Sequence, residues 1–288
     1  MSDVEERRLD LARHYSAIGQ PARALETLDG LEALDDPEVW SLRGESLYQL
    51  DRYREGAEAA RRGLALDPED LGLLDVLALN LMELGDLAGA ETALLSALEL
   101  WPENEILLCH YALACAQHGQ KEKAERLVER AARLDPESVD VLRARAQVAY
   151  LIGDKRATSR RVDELLAVEP EDRVGHMLRG NLHVEGSNVY EAVRHHEQAV
   201  RLDPSDRELA DVVRHNRTLT HWLQWPIYPV QRFGMFKVWG AYLALFVVVS
   251  LIGNPYLIAG LVGLYLFMVV YSWTVAPLAR WWMQRRIR

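Results

Sequence analysis

The sequence predicts an all-α protein, a solenoid of stacked helix pairs followed by a transmembrane helical hairpin. Two observations predict it. Pro68, Pro102, Pro136, Pro170 and Pro204 stand 34 residues apart, and a fixed period of that length marks a stacked repeat architecture. Near the C-terminus, 42 residues from Val238 to Ala279 pass without a charged side chain. That is about twice what one helical bilayer crossing needs.

The rest of the repeat unit follows by reading back from each proline. Twenty-four residues upstream stand Gly44, Ala78, Ala112, Ala146 and Gly180; twelve upstream stand Gly56, Ala90, Ala124, Thr158 and Ala192. Small residues at these spacings let two helix backbones approach closely. Seventeen upstream come Asp51, Gly85, Gly119, Gly153 and Ser187, read as turn residues. Larger apolar residues fill the gaps, with Trp40, Leu74, Leu108 and Leu142 at 28 upstream and Leu94, Val128 and Val162 at 8 upstream. Each unit therefore reads as a helix of about a dozen residues, a turn, a second such helix and an Asp-Pro stop. The proline cannot continue a helix interior and suits a first helical turn.

These positions resemble the tetratricopeptide repeat, with its period of 34 and the same small, aromatic and proline sites. The resemblance covers about residues 5–206 of a repeat domain read as 1–206, with units at about 5–36, 37–70, 71–104, 105–138, 139–172 and 173–206. The first unit is degenerate, with Asp36 where the proline would fall. The resemblance implies a right-handed α-solenoid of about six helix pairs, whose first helices line a groove for partner proteins. Residues 207–235 read as a capping helix, with a stripe of Leu209, Val212, Val213 and Leu219, and a juxtamembrane linker. An end repeat needs such a cover.

A single helix through the uncharged run would be about 63 Å long at about 1.5 Å per residue, twice the bilayer core. Gly253-Asn254-Pro255 breaks it near its middle. Two spans, about 236–253 and 256–277, fit within residues 236–279, with a basic tail at 280–288. A buried helical hairpin in a soluble core is the competing reading, but the repeats offer no core large enough to wrap it. Arg232 and Lys237 precede the first span, and Arg280, Arg285, Arg286 and Arg288 follow the second. Positive flanks face the cytoplasm, which puts both termini there and the protein in the inner membrane. Trp222, Trp225, Tyr228, Phe233, Trp239, Trp273, Trp281 and Trp282 gather at the same ends, as an interfacial belt would.

Charge narrows the partners. The chain carries a net charge of −10. Residues 232–288 hold six basic and no acidic side chains, so residues 1–231 hold 27 basic against 43 acidic, a net of −16. An acidic domain argues against nucleic acid, which needs a basic footprint, and against repeats lying flat on anionic lipid. No secretory signal opens the chain. Arginine outnumbers lysine 29 to four, a bias that suggests a GC-rich bacterial genome.

No motif for catalysis emerges, so no enzyme activity, cofactor or metal is expected. Cys109, His110, Cys115 and His118 lie on one helix at about 0°, 100°, 240° and 180°, too spread to converge on a tetrahedral ion. His176, His183 and His196 fall in slots that pack near one another. They read either as a small metal or proton-sensing cluster or as partly solvated residues of an atypical end unit.

The groove is the better candidate. Positions about 100° from the core stripe give Tyr48, Asp75, Leu79, Met82, Cys109, Leu113, Arg143, Tyr150, Met177 and Asn181. Met and Tyr suit adaptable contacts with an apolar or amphipathic segment. The resemblance also offers a carboxylate clamp for peptide C-termini. Asn181 fits it, but Met177 stands where a lysine is wanted. The sequence thus points to a membrane-anchored scaffold holding a protein partner beside the bilayer. The alternative is an integral subunit or assembly factor of a membrane complex, with specificity in the hairpin.

Overall fold

The 34-residue period repeats the same local chemistry in each unit. In the computed structural model, the backbone is described for residues 3–31, 36–186, 188–204, 206–220, 226 and 233–286. Every described regular element is helical. They are α1 (Asp3–Ala17), α2 (Pro21–Leu28), α3 (Pro37–Gln49), α4 (Tyr53–Leu66), α5 (Leu71–Glu83), α6 (Leu87–Leu100), α7 (Glu105–Gln117), α8 (Lys121–Leu134), α9 (Val139–Leu151) and α10 (Lys155–Val168). There follow α11 (Arg173–Glu185), α12 (Val189–Leu202), α13 (Arg207–Thr220), α14 (Met235–Ile252) and α15 (Pro255–Arg286).

Within each pair the turn residue takes the left-handed conformation, at φ +75° for Gly85, +76° for Gly119 and +84° for Gly153. Asp51 does the same at +59° without being glycine, a conformation Asp tolerates better than most residues. Ser187, expected as the matching turn residue, lies outside the described residues.

Between pairs the proline acts differently from the expectation. Pro68, Pro102, Pro136 and Pro170 sit in turns or bends rather than in the next helix's first turn. Each ends the preceding helix by holding its neighbour extended, as Asp67 at φ −133° and Asp135 at φ −138° show. The next helix starts three residues after the proline, on a side-chain cap absent from the sequence-based expectation. Asp70, Asn104, Ser138, Asp172 and Asp206 accept from the amides of Leu73, Leu107, Val141, Gly175 and Leu209. Each satisfies one of the four orphan donors of a helix start.

Residues 1–165 and 166–288 are two compact units, and each is described by itself. In the first, helices α1 to α9 each pack on their neighbour in the chain, and the first helix of a pair also touches the first helix of the next: α3 with α5, α5 with α7, α7 with α9. The small positions carry this packing. Ala78, Ala90, Ala112, Ala124 and Ala146 are fully buried, as the register requires. Leu74, Leu94, Leu108, Val128 and Val141 fill the core between them. Glycine replaces alanine at Gly56 because a Cβ there would stand 2.2 Å from Asn80 Oδ1.

In the second unit α11 pairs with α12, α13 packs on α12 with Leu209 and Val213 inward, and α13 also touches α15. Helices α14 and α15 meet at Gly253, which closes α14 at φ +70°. Tyr242 of α14 donates to the Leu261 carbonyl of α15 at 2.9 Å, and its ring stands 5.2 Å from that of Tyr265. The expected hairpin is thus present as two helices, but the second runs through Pro277 to Arg286 rather than ending at 277. Its crossing of a bilayer is not shown: among the described residues no helix is long and apolar enough to cross a membrane. Within these two helices the described side chains run only from Phe236 to Ile252 and from Pro255 to Tyr271, with Thr274 beyond. The belt residues Trp222, Trp225 and Tyr228 and the flanking Arg232 lie outside the described residues, as do the side chains of Trp273, Trp281, Trp282 and the basic tail.

Candidate functional site

The expected groove face is only partly available. Tyr48, Asp75, Leu79, Leu113, Arg143 and Tyr150 are half-buried on α3, α5, α7 and α9 of the first unit. Met82 and Cys109 are buried, Cys109 at 2% exposure, and both belong to the hydrophobic core. They are corrected to core residues. The reason is the stacking: α7 is touched by α5, α8 and α9, so a position 100° from the core stripe is still covered. Burial, and after it the charges of Asp140 and Glu105, push the Cys109 thiol up to about 12, away from the reactive thiolate. Leu113 packs against the same core from its half-exposed position. Asp75 is engaged by His110, whose Nδ1 lies 2.6 Å from Oδ1.

Polar links hold these helices together. Glu91 of α6 accepts from Lys123 Nζ at 2.7 Å and from the Tyr111 hydroxyl at 2.6 Å, joining α6, α7 and α8. The bonds to Lys123 and Tyr111 hold the Glu91 carboxyl below its ordinary range against the opposing effect of burial. Glu129 of α8 accepts from Arg161 Nη2 of α10 at 2.8 Å, while Arg161 Nη1 reaches the Arg145 carbonyl at 3.2 Å. Arg161 is nearly buried, so this pair is an internal clasp rather than a docking charge.

In the second unit Met177 and Asn181 are half-buried on α11. The Asn181 carbonyl oxygen meets His196 Nε2 at 3.0 Å, so the one clamp-like residue is already engaged within the fold. His196 is buried against Gly180, where a Cβ would come within 2.1 Å of its ring. The histidine cluster forms, but not from the trio the sequence suggested. His196 turns away, and His195 takes its place between His176 and His183. The ring centroids of His195 and His176 are 5.4 Å apart, those of His195 and His183 5.6 Å apart, both stacked. Glu191, one turn before His195, completes a group in which His183, Glu191 and His195 each bring one ligand atom within 4.8 Å of the others. Burial first, then the neighbouring His176 and His183, pushes His195 down to about 4. His183 is lowered too, chiefly by burial. Sequence reasoning missed His195 because its slot in the second unit holds Ala59, a core position. The Glu-x-x-x-His spacing of Glu191 and His195 was the available signal.

The hairpin presents the most apolar surface described. Phe236, Leu251 and Tyr256 are each more than four-fifths exposed, and Trp239, Leu243, Leu245, Val247, Val248, Leu264, Leu266, Phe267 and Val270 are more than half exposed.

Residues 37–70 and 76–139 match models described as tetratricopeptide repeat. No curated protein matches the chain. Among solved structures, a thermophilic tetratricopeptide protein of Thermus thermophilus is similar at 20% identity and TM-score 0.56, covering 62% of this chain and 98% of that one. PilW, titled a widely conserved type IV pilus biogenesis factor, is similar at 19% identity and TM-score 0.56, covering 74% and 100%. The Cut9–Hcn1 hetero-tetramer structure of APC/C gives 12% identity and TM-score 0.61, covering 76% and 44%. At these identities the likeness is one of fold. The matched stretches lie within residues 37–139, and what the chain shares with these structures is an all-α fold of stacked helix pairs.

Proposed function

We propose that this protein is a membrane-anchored scaffold. Its repeats, residues 1–206, hold a protein partner, residues 207–235 link them to the bilayer, and the α14–α15 hairpin inserts there. The observation that carries this reading is the run of large exposed apolar side chains on both hairpin helices, attached to an acidic repeat domain. Monomeric water-facing proteins rarely bare a continuous apolar surface of that extent. Bilayer burial covers it, and the Lys237 and C-terminal arginine flanks place both termini in the cytoplasm under the positive-inside rule. The protein is then a multi-pass component of the inner membrane. The partner segment would be apolar or amphipathic, with basic residues to meet Glu45, which is exposed on α3. Likeness to a pilus biogenesis factor is a likeness of fold, so pilus assembly forms no part of the proposal.

A second reading is that the chain is an integral subunit or assembly factor of a membrane complex, recognised through its hairpin. It is favoured by the engagement of Asp75 with His110 and of Asn181 with His196, which leaves less of the groove free for a partner. Crosslinking followed by affinity purification from solubilised membranes separates the two. Leu79→Asp combined with Tyr150→Asp should remove the partners while leaving membrane association intact. Leu113 is avoided because it packs on the core. Full recovery of partners by this variant would move specificity to the hairpin.

A further inference from the structure

The histidine cluster of the second unit has a donor set and a built-in orientation that no part of the scaffold reading uses. We propose that His183, Glu191 and His195 form a binding site for a divalent transition-metal ion of the zinc class, stapling α11 to α12. Three arguments carry it. The first is the donor set. Two imidazoles and one carboxylate are the three-ligand combination zinc takes with a fourth position left to water. Magnesium and calcium prefer all-oxygen sites. Ligand atoms about 2.0–2.2 Å from a tetrahedral ion lie about 3.4 Å from each other. The present separations, up to 4.8 Å, close to that by small rotations of half-buried side chains.

The second is the hydrogen-bond relay behind His195. His176 Nε2 lies 3.0 Å from the Pro170 carbonyl, which can only accept, so Nε2 carries the His176 proton. With that proton on Nε2, His176 Nδ1 is the acceptor and His195 Nδ1, 3.1 Å away, donates to it. His195 Nε2 is left with its lone pair. This is the second-shell arrangement by which a ligating histidine has its tautomer and ring angle fixed through its other nitrogen. His176 is thereby a positioning residue and not a ligand.

The third is the electrostatic setting. His183 lies in the last turn of α11, where a cation is favoured by the helix dipole. Arg179, one turn earlier, opposes a cation, and the Glu191 carboxylate offsets it. The Glu191 partner Arg194 is 3.6 Å away and largely exposed, a contact weak enough to yield to a metal.

The test uses the purified full-length chain in detergent, stripped of metal and titrated calorimetrically with Zn²⁺. One ion should bind per chain. His183→Gln, Glu191→Gln and His195→Gln should each weaken binding at least about tenfold. His176→Phe should weaken it by about 10- to 100-fold although it touches no ion, and His118→Gln on α7 should leave it unchanged. Circular dichroism checks that each variant folds. A second measurement needs no variant: Zn²⁺ should protect His183 and His195 from diethylpyrocarbonate, mapped by peptide mass, while His118 stays reactive. Absence of one-to-one binding, native affinity in the His183→Gln and His195→Gln variants, or no selective protection would overturn the proposal.

Discussion

Gly56 and Asn80 make an interlocked pair whose disruption has a sign that can be worked out in advance. Gly56 lies inside α4 and Asn80, at 0% exposure, inside α5. The Asn80 amide donates to the Val76 carbonyl at 2.8 Å, while its Oδ1 has no partner among the described residues. A Cβ on Gly56 would stand 2.2 Å from Oδ1, 2.8 Å from Cγ and 3.0 Å from Nδ2. Alanine in place of an interior helical glycine stabilises by about 1 kcal/mol. Overpacking opposes it by about 1–3 kcal/mol, and displacing Asn80 from Val76 adds about 1 kcal/mol. Gly56→Ala should therefore destabilise by about 1–3 kcal/mol. Asn80→Ala removes both the obstacle and the orphan acceptor, so in that background Gly56→Ala should stabilise by about 0.5–1 kcal/mol. The coupling between the two sites is then about 1.5–4 kcal/mol, at the upper end of what touching residues show. Urea unfolding followed by far-ultraviolet circular dichroism, with m unchanged across the cycle, reads this directly. A Gly56→Ala variant that stabilises the native sequence as much as it stabilises Asn80→Ala would refute the packing argument.

Other outcomes follow from the same contacts. Ala124, fully buried where α7 and α8 meet, should cost about 1–3 kcal/mol when replaced by Leu and much less when replaced by Ser, measured by the same urea curves. Glu129→Ala leaves the buried Arg161 guanidinium without its carboxylate partner; with Glu129 itself half-exposed, this should destabilise by about 1–2 kcal/mol. The Glu91 carboxyl is held low by Lys123 and Tyr111. A depressed folded value means its contribution is complete above the unfolded value of about 4.3 and is lost as pH falls through the folded value. Unfolding curves from pH 6 down to pH 3 should therefore lose stability faster in the native chain than in Glu91→Gln; parallel curves would show the carboxylate is idle.

Much of this fold is legible because 34-residue spacing reports local geometry. The turn glycines 85, 119 and 153 and even Asp51 take the left-handed backbone their slot demands, and the fully buried alanines lie where close helix approach requires them. What escaped is set by neighbours in space. The caps at Asp70, Asn104, Ser138, Asp172 and Asp206 recur at the same period and could have been read, since Asp, Asn and Ser before a helix are the usual cap residues. Cys109 and Met82 could not be assigned to the core from one helix alone, because their cover comes from adjacent helices. His195 was hidden for the same kind of reason: its partners His176 and His183 stand on α11, across the pair. The shape of the hairpin was legible from Gly253 and the uncharged run, but its surroundings depend on solvent, which a chain alone does not specify.

The central claim is that an apolar hairpin ties the repeat domain to a bilayer with both ends on one side, and a single labelling measurement tests it. Cys109 and Cys115 are the chain's two cysteines and are both buried, so a background lacking them is straightforward to build. In that background Asn254→Cys, at the exposed turn between α14 and α15, is treated in intact cells with a membrane-impermeant thiol reagent, alongside Arg288→Cys. The account predicts labelling at 254 from outside and protection at 288 until the membrane is opened. Protection at 254 in intact cells with labelling only after opening, or external labelling at 288, would contradict it.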